Sequence, residues 1–294
     1  MWLADKWKDY EVIDCSRGEK LERWGKYLLV RPDPQVIWDT PKQEKGWKRM
    51  NGHYHRSSKG GGEWEFFDLP QEWTIHYPLP INKELTFHLK PFSFKHTGLF
   101  PEQAANWNWF STLIADAVKS GRPVKVLNLF AYTGGATIAA AAAGASVTHV
   151  DASKGMVTWA KENAVSSGLK DAPIRWLVDD CVKFVEREIR RGNHYDAIIM
   201  DTPSYGRGPK GEIWKIEESV YPLVQLCSQI LTDDPLFFLI NSYTTGLQPA
   251  VLSYMMHTVL GKYNGTITAE EIGLPVSSNG LVLPCGASGR FQAK

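Results

Sequence analysis

The sequence has few cysteines, no long apolar run and almost no excess charge of either sign. Its four cysteines show no C-x-x-C spacing of a metal or redox site and no disulfide framework. We therefore expect reduced thiols, no bound metal and a cytoplasmic protein. No segment approaches the roughly 20 apolar residues of a membrane span, and the N-terminal segment around Asp5 and Lys6 lacks the apolar core of a signal peptide.

The near-neutral charge means that any nucleic-acid binding must come from a local patch. The formal net charge is +1 over 294 residues, which excludes a generally basic surface. Residues 42–59 contain such a patch, with six Lys or Arg residues against the single acid Glu44. Cations contact phosphates and aromatic rings stack on bases. The patch predicts a loop that contacts RNA, although a solvated loop explains it equally well; its candidate residues are Trp47, Lys48, Arg49 and Arg56.

The hydrophobic patterning divides the chain into two regions. Residues 1–95 carry short segments bounded by Gly, Pro or Asp, which is typical of antiparallel strands. The strand candidates are Tyr10–Ile13, Tyr27–Val30, Glu63–Phe67, Trp73–Tyr77 and Leu85–Leu89. In residues 96–294 strands and helices alternate, which predicts a mostly parallel α/β sheet. A final hairpin near Gly265–Ile272 and Leu281–Pro284 is expected at one edge of this sheet. The two patterns together predict a small β-rich N-terminal domain followed by a Rossmann-like domain.

One βαβ unit identifies the class of ligand. Strand Val126–Phe130 enters a Thr-Gly-Gly turn, an Ala-rich helix follows, and strand Val147–Val150 ends at Asp151. Such a unit binds an adenosine-containing cofactor at its carboxyl end. The G-x-G-x-x-G spacing of a pyrophosphate site is missing, and Asn128 and Phe130 stand where glycine would be needed. A smaller anion such as an amino-acid carboxylate fits, with Asp151 accepting from two ribose hydroxyls, so the unit favours S-adenosylmethionine over a dinucleotide.

Three motifs resemble one known family. They are Asn-Leu-Phe-Ala-Tyr-Thr-Gly-Gly at 128–135, His149-Val150-Asp151, and Asp-Thr-Pro-Ser-Tyr at 201–205. Together they resemble the class I S-adenosylmethionine-dependent methyltransferases, and most of all the branch that contains the bacterial 23S rRNA large-subunit methyltransferases of the RlmI/RlmK type. The resemblance covers about residues 90–285 and includes the lead-in motif at 95–103. It implies a sheet with an antiparallel last strand and S-adenosylmethionine as the cofactor.

The predicted cofactor site collects residues from the carboxyl ends of the strands. Asp180 and the Cys181 amide are expected at the adenine, with Asp179 as second choice, although both acids can instead cap the helix that follows. The resemblance adds Gln103 at the methionine end. The complete set of predicted cofactor residues is Gln103, Asn128, Phe130, Thr133, Gly134, Asp151, Ala152, Asp180, Cys181 and Asp201.

The segment after the fourth strand occupies the catalytic position. Asp201 is predicted to accept from the cofactor's ammonium or from a substrate amino group, Pro203 to stiffen the turn, and Tyr205 to stack on a base. Arg207 and Lys210 are candidates for phosphate contacts. The family motif is Asp-Pro-Pro, and here Thr202 replaces its first proline.

A second departure concerns the chemistry. Family members that make 5-methylcytosine use a cysteine nucleophile in this motif or after the fifth strand, and here those places hold Ser204 and Asn241-Ser242-Tyr243-Thr244. Methylation of a nitrogen or oxygen atom, most plausibly of ribosomal RNA, is the leading hypothesis.

Three alternatives stay open at this point. The substrate can be a protein or a small molecule, or the chain can be an RNA-binding module without turnover. A nicotinamide dehydrogenase is the remote option. The sequence leaves the methylated atom and the oligomeric state open.

Overall fold

The computed structural model describes residues 1–92, 95–208 and 210–294. In chain order the strands are β1 (Trp2–Leu3), β2 (Tyr10–Ser16), β3 (Glu19–Trp24), β4 (Tyr27–Pro32), β5 (Gly52–Arg56), β6 (Gly62–Phe66), β7 (Trp73–Leu79), β8 (Lys83–Leu89), β9 (Lys125–Leu129), β10 (Ser146–Asp151), β11 (Ile174–Val178), β12 (Ala197–Thr202), β13 (Tyr205–Arg207), β14 (Ile213–Lys215), β15 (Phe237–Ser242), β16 (Gly265–Pro275) and β17 (Val282–Ala293). The α-helices are α1 (Ala104–Lys119), α2 (Gly135–Ala142), α3 (Lys154–Ser166), α4 (Cys181–Arg191), α5 (Ile216–Ser228) and α6 (Pro249–Leu260). Among the described helices, none has the length and apolarity to cross a membrane.

The main sheet confirms the predicted α/β class. Its strand order is β1-β16-β17-β15-β12-β9-β10-β11. The strands from β15 to β11 run parallel, and β17 pairs antiparallel with both β15 and β16. Every residue of β15 is buried, as expected for a strand covered by helices on both faces.

The strand order positions the candidate site. The chain builds outward from β9 through β10 to β11, and then crosses to the other side of β9 to form β12. This reversal makes a crevice at the carboxyl ends of β9 and β12, which is where ligands bind in open α/β sheets. Asp151 at the end of β10 and Asp201 in β12 both lie at this edge.

The N-terminal region is β-rich, as predicted, and holds strands that the sequence patterning did not identify. Strands β2 to β6 form a five-stranded sheet in sequential order, and β7 and β8 form a separate ribbon. Strand β3 was not predicted because its sequence, Glu-Lys-Leu-Glu-Arg-Trp, is dominated by charged residues. One of these charges is buried and paired with a residue of the neighbouring strand, since Glu22 accepts from Arg31 Nε on β4 at 2.6 Å.

The predicted RNA-contact loop at 42–59 is largely ordered secondary structure. It contains a short 3-10 helix, Lys45–Lys48, and strand β5. Trp47 is only 8% exposed and packs on Leu21 and Val30, and its Nε1 donates to Asp14 at 2.8 Å. The prediction that Trp47 stacks on RNA is therefore wrong, because its ring belongs to the core beneath this sheet. Lys48, Arg49 and Arg56 are exposed.

The N-terminal region packs closely on the main sheet. Strand β1 adds to the edge of the sheet by pairing with β16. Strand β8 lies along α3, where the Asn163 side chain accepts from His88 N at 2.8 Å and Trp159 Nε1 donates to His88 O at 2.9 Å. Arg31 donates to Lys95 O and Trp7 to Pro101 O, both at 2.8 Å. These bonds fix the lead-in segment 95–103 beside the carboxyl end of β9.

A substitution at Gly98 tests how tightly the lead-in segment is held. The Gly98 φ of +102° is a conformation that favours glycine, and a Cβ would lie 2.0 Å from the Trp159 ring. We expect Gly98→Ala to lower the free energy of unfolding by about 3 kcal/mol, from strain plus overpacking. Gly168→Ala is the matched control, because Gly168 has a φ of +74° and open space around it; we expect about 1 kcal/mol there. Urea denaturation measures both, and equal losses would contradict the close packing.

Candidate active site

Two adjoining cavities lie at the carboxyl ends of β9, β10 and β12. The larger has a volume of about 440 Å³, and the smaller, of about 40 Å³, lies between β9 and the start of α1. They share Phe100, Phe130, Tyr132 and Asp201. The predicted residues that line the larger cavity are Phe130, Asp151, Ala152, Asp180, Cys181, Asp201, Pro203 and Arg207; those that line the smaller are Gln103, Asn128, Phe130, Thr133 and Asp201.

Asp151 is oriented by the backbone on either side of the cavity. Its Oδ2 accepts from Tyr132 N and its Oδ1 from Ser153 N, both at 2.8 Å. Burial raises the pKa of Asp151, and the two backbone N–H groups oppose that shift. Each carboxylate oxygen keeps a further lone pair. The carboxylate can therefore accept from a pair of neighbouring hydroxyls, as on a ribose.

The turn after β9 is held in an uncommon backbone conformation. Phe130 and Tyr132 have φ values of +53° and +52°, which cost of order 1–3 kcal/mol each in residues other than glycine. Bonds to neighbouring elements hold this turn, since Phe130 N donates to Cys181 Sγ at 3.3 Å and Ala131 N to Val150 O at 3.1 Å. Such strain is typical of ligand-binding loops.

The two adjacent acids after β11 have different environments. Asp180 lines the larger cavity and also caps α4, since its Oδ1 accepts from Lys183 N at 2.9 Å. Asp179 pairs with Arg187 and is not among the residues that line either cavity. The geometry thus favours Asp180 over Asp179, and the α4 N-terminus at Cys181 offers backbone N–H groups to a ligand.

The polar residues around the smaller cavity form three separate sets of hydrogen bonds. Gln103 Nε2 donates to Tyr243 Oη at 2.6 Å, and its Oε1 accepts from Asn241 Nδ2 at 2.8 Å. Asn128 Nδ2 donates to Thr137 at 2.9 Å, and Thr133 Oγ1 to Gly98 O at 2.6 Å. These bonds hold the walls of the cavity, and the bond from Thr133 ties the lead-in segment to the turn after β9.

Among the predicted cofactor and catalytic residues, Gly134 and Tyr205 lie outside the walls of both cavities, as the described part of the chain defines them. Gly134 stands at the contact between the turn and α3, where a Cβ would lie 2.8 Å from that of Ala160. This contact, and a φ of +81°, account for the glycine without a ligand. Tyr205 is 54% exposed on β13, which pairs with β14 as a short ribbon beside the larger cavity. Lys210, at the tip of that ribbon, is also exposed.

Asp201 carries the clearest electrostatic signal in the site. Its Oδ1 is buried and has no hydrogen-bond partner among the described residues. Burial raises the pKa of Asp201 to about 7, and the nearby Glu102 carboxylate adds to the shift. An unpaired buried carboxylate oxygen is costly, so this atom is suited to accept from an ammonium or amino group.

The backbone after Asp201 is well supported although Thr202 replaces the family's proline. Thr202 continues strand β12, and its Oγ1 donates to Asn241 O at 2.9 Å. Trp214 Nε1 donates to Pro203 O at 2.6 Å. Thr202 thus maintains the extended path into the turn.

Sequence reasoning did not assign His96, Tyr132 and Tyr243, which line the larger cavity. The Phe100 ring lies 5.3 Å from Tyr132 and 5.6 Å from Tyr243, centroid to centroid. Burial lowers the pKa of His96 to about 4, so its ring is neutral at pH 7. The signal that could have identified these side chains is their position in the 95–103 motif and after β9 and β15. No group of His, Cys, Asp and Glu side chains within the described ranges could hold a metal ion.

The residues present fit S-adenosylmethionine. Asp151 suits the ribose, Asp180 and the α4 N-terminus suit the adenine, and the unpaired Oδ1 of Asp201 suits the ammonium of the methionine part. A doubly wound sheet with these groups at its switch point defines the class of proteins that bind an adenosine-containing cofactor without a pyrophosphate loop.

Comparison with known proteins establishes the family. The family model described as S-adenosylmethionine-dependent methyltransferase matches residues 63–213. The structure of an S-adenosylmethionine-dependent methyltransferase from Agrobacterium tumefaciens is similar, with a TM-score of 0.91 and 34% identity, covering 99% of this chain and 93% of that one. The chain belongs to the S-adenosylmethionine-dependent methyltransferases, and S-adenosylmethionine is its cofactor.

Curated relatives are longer than this chain. Ribosomal RNA large subunit methyltransferase K/L from Pseudoalteromonas atlantica is 35% identical over 252 residues, which are 76% of this chain and 33% of that protein. The protein of the same name from Shewanella frigidimarina is 33% identical over 133 residues, 45% of this chain and 17% of its own length. The chain therefore spans at most about a third of these two relatives.

The two acids Asp151 and Asp179 allow a matched test of the ribose contact. We expect Asp151→Asn to weaken binding of S-adenosylhomocysteine at least tenfold, because a charge-assisted pair contributes about 1.4 kcal/mol or more. Asp179→Asn removes the same charge outside the cavity and should change the affinity less than twofold. Isothermal titration calorimetry measures both, and equal effects would show that the ribose is bound elsewhere.

The raised pKa of Asp201 predicts a pH-dependent stability. The folded ligand-free protein holds the Asp201 proton more tightly than the unfolded chain, whose pKa is 3.8 against about 7 in the fold. This contribution is complete below pH 3.8 and is lost as the pH rises to about 7. Asp201→Asn should therefore raise the free energy of unfolding at pH 8 by about 1 kcal/mol or more, with little change at pH 4. Denaturant titrations at both pH values measure this, and an equal change at the two would contradict it.

Proposed function

We propose that this methyltransferase methylates a nitrogen or oxygen atom of RNA, with ribosomal RNA as the first substrate to test. The observation that carries the proposal is the unpaired Oδ1 of Asp201 at the inner end of a cavity whose outer rim holds Arg207. An acceptor for amino hydrogens thus lies where the cofactor meets the substrate. The curated relatives are named as ribosomal RNA large subunit methyltransferases, which supports the choice of substrate.

The arrangement suits an in-line displacement. S-adenosylmethionine supplies an electrophilic methyl group when bound. The protein's task is to align the acceptor atom behind that methyl. Asp151 and Asp180 hold the adenosine in place, and the packed rings of Phe100, Tyr132 and Tyr243 form the adjoining wall. Asp201 accepts a hydrogen bond from the ammonium of the cofactor or from an amino group of the substrate, which orients that nitrogen.

The thiols argue against carbon-5 methylation of pyrimidines. Cys181 is the cysteine that lines the cavity, and burial raises the pKa of its thiol well above the usual value. Its sulfur accepts from Phe130 N. A thiol held in this form is a poor nucleophile. Serine occupies position 204 instead, so an acceptor with its own lone pair is the better fit.

The contacts proposed for RNA lie on two surfaces. Tyr205, Arg207 and Lys210 project from the β13–β14 ribbon beside the cavity, and Lys48, Arg49 and Arg56 are exposed on the N-terminal region. All four cysteines are free, which fits the cytoplasmic location that we propose. The net charge of +1 favours the second candidate, a protein or small-molecule substrate.

Nucleoside mass spectrometry identifies the substrate directly. We expect ribosomal RNA from cells that lack this protein to miss one methylated nucleoside, and the purified protein to restore it in vitro. Asp201→Asn should lower the rate of restoration at least tenfold. Unchanged nucleosides in every RNA class, together with transfer to a protein or metabolite fraction, would reject RNA as the substrate.

Arg207 allows a separate test of phosphate contact. Each neutralised phosphate contributes about 0.7 to the slope of log affinity against log salt concentration for single strands. We expect Arg207→Ala to reduce this slope by about that amount. Arg190→Ala is the control, because Arg190 is an exposed arginine at the C-terminal end of α4, whereas the N-terminal end of this helix lies at the cavity. Fluorescence anisotropy with labelled ribosomal RNA fragments at several salt concentrations gives both slopes, and equal slopes would remove Arg207 from the interface.

A further inference from the structure

We infer that one face of the β5–β6 hairpin is a stacking platform for the unpaired RNA next to the target nucleotide. This stacking platform consists of Trp64 and Phe66 on β6 with Arg56 on β5. The inference rests on the proposed RNA substrate and assigns a binding surface that the cofactor site does not include.

The two rings form a parallel pair at the edge of the N-terminal sheet. Trp64 and Phe66 are two residues apart on β6, so their side chains share one face. Their planes differ by 8° and their centroids lie 6.0 Å apart. Phe66 is 55% exposed, and its cross-strand neighbour is Gly52, which offers no side chain to cover the ring. The exposed Phe66 ring thus faces solvent beside the partly buried Trp64, which packs against the core.

The Trp64 ring of this pair is held by contacts with neighbouring residues. Trp64 stands edge-on to the buried Tyr54, with centroids 5.4 Å apart. Trp64 Nε1 donates to Phe92 O at 3.3 Å. Rings held in this way lose little conformational entropy when they bind a ligand. Rigid aromatic rings on a sheet are a recurrent surface for stacking unpaired bases.

Aromatic rings connect the platform with the active site. Phe92, whose carbonyl accepts from Trp64, lies 6.1 Å from the His96 ring, and His96 lines the larger cavity. His96 in turn lies 5.6 Å from Phe100. An RNA strand whose target nucleotide enters the cavity could therefore run past His96 and Phe92 toward the platform and stack a base further along the strand on Phe66.

The charges on the hairpin distinguish its two faces. Arg56 shares the aromatic face, because it stands two residues beyond Tyr54 on β5. Glu63 and Glu65 are on the opposite face, where Glu65 bonds to His55 at 2.8 Å. The aromatic face thus combines rings with a cation, which is the combination that binds single-stranded nucleic acid. A protein partner would not require the cation, so we commit to RNA.

Phe66→Ala tests the platform, and Phe67→Ala is its matched control. Phe67 is the next residue, lies just beyond the end of β6 and is 44% exposed, but does not form the ring pair with Trp64. The probe is a labelled 20-nucleotide single-stranded RNA of mixed sequence, with its duplex as comparison. We expect Phe66→Ala to weaken single-strand binding about fivefold or more, without a change in the salt slope, and Phe67→Ala to weaken it less than twofold. Arg56→Ala should lower both the affinity and the slope.

The outcomes separate this inference from the proposed function. Equal effects of Phe66→Ala and Phe67→Ala, or preferential binding of the duplex, overturn the platform. Intact methylation of ribosomal RNA with those results would leave the proposed function standing. Binding of S-adenosylhomocysteine should be unchanged in all three variants. Light scattering is the last check, because a dimer that Phe66→Ala dissociates would show that a second copy covers this face.

Discussion

The fold of the site depends on the carboxylate of Asp151. It bonds to Tyr132 N in the turn after β9 and to Ser153 N beside α3. The turn needs this support, because Phe130 and Tyr132 both have positive φ values. The same turn bonds to the lead-in segment through Thr133, and that segment bonds to the N-terminal sheet through Arg31. One buried acid thus connects the cofactor pocket with both halves of the chain.

Burial of Asp201 is the complementary feature, because it lowers the stability of the ligand-free protein. An unpaired carboxylate oxygen beside Glu102 is electrostatically unfavourable. A bound ammonium group would offset this cost, so the site favours a cationic ligand. Functional sites commonly lower the stability of the free protein, and the bound ligand restores it. In our proposal the gain appears only when the methionine part of the cofactor is in place.

The sequence was sufficient for features that depend on local chemistry. The βαβ unit, Asp151 and the antiparallel last hairpin follow from periodicity, turn residues and the family motifs. Features that depend on packing across the chain were not accessible. Trp47 reads as an exposed ring among lysines, and only the fold shows that it packs on Leu21. Strand β3 reads as a charged loop because Glu22 finds its partner, Arg31, on a neighbouring strand. Gly134 matches a ligand motif, yet helix packing alone explains it.

The small net charge bears on how such a protein would choose RNA. Non-specific affinity for duplexes comes chiefly from neutralised phosphates, and a chain with a net charge of +1 has little surplus to supply it. Stacking on Phe66 and Trp64 adds affinity that does not depend on phosphate density and requires unpaired bases. Such stacking would favour loops and bulges over duplexes. Selectivity for unpaired RNA would then follow from the scarcity of charge.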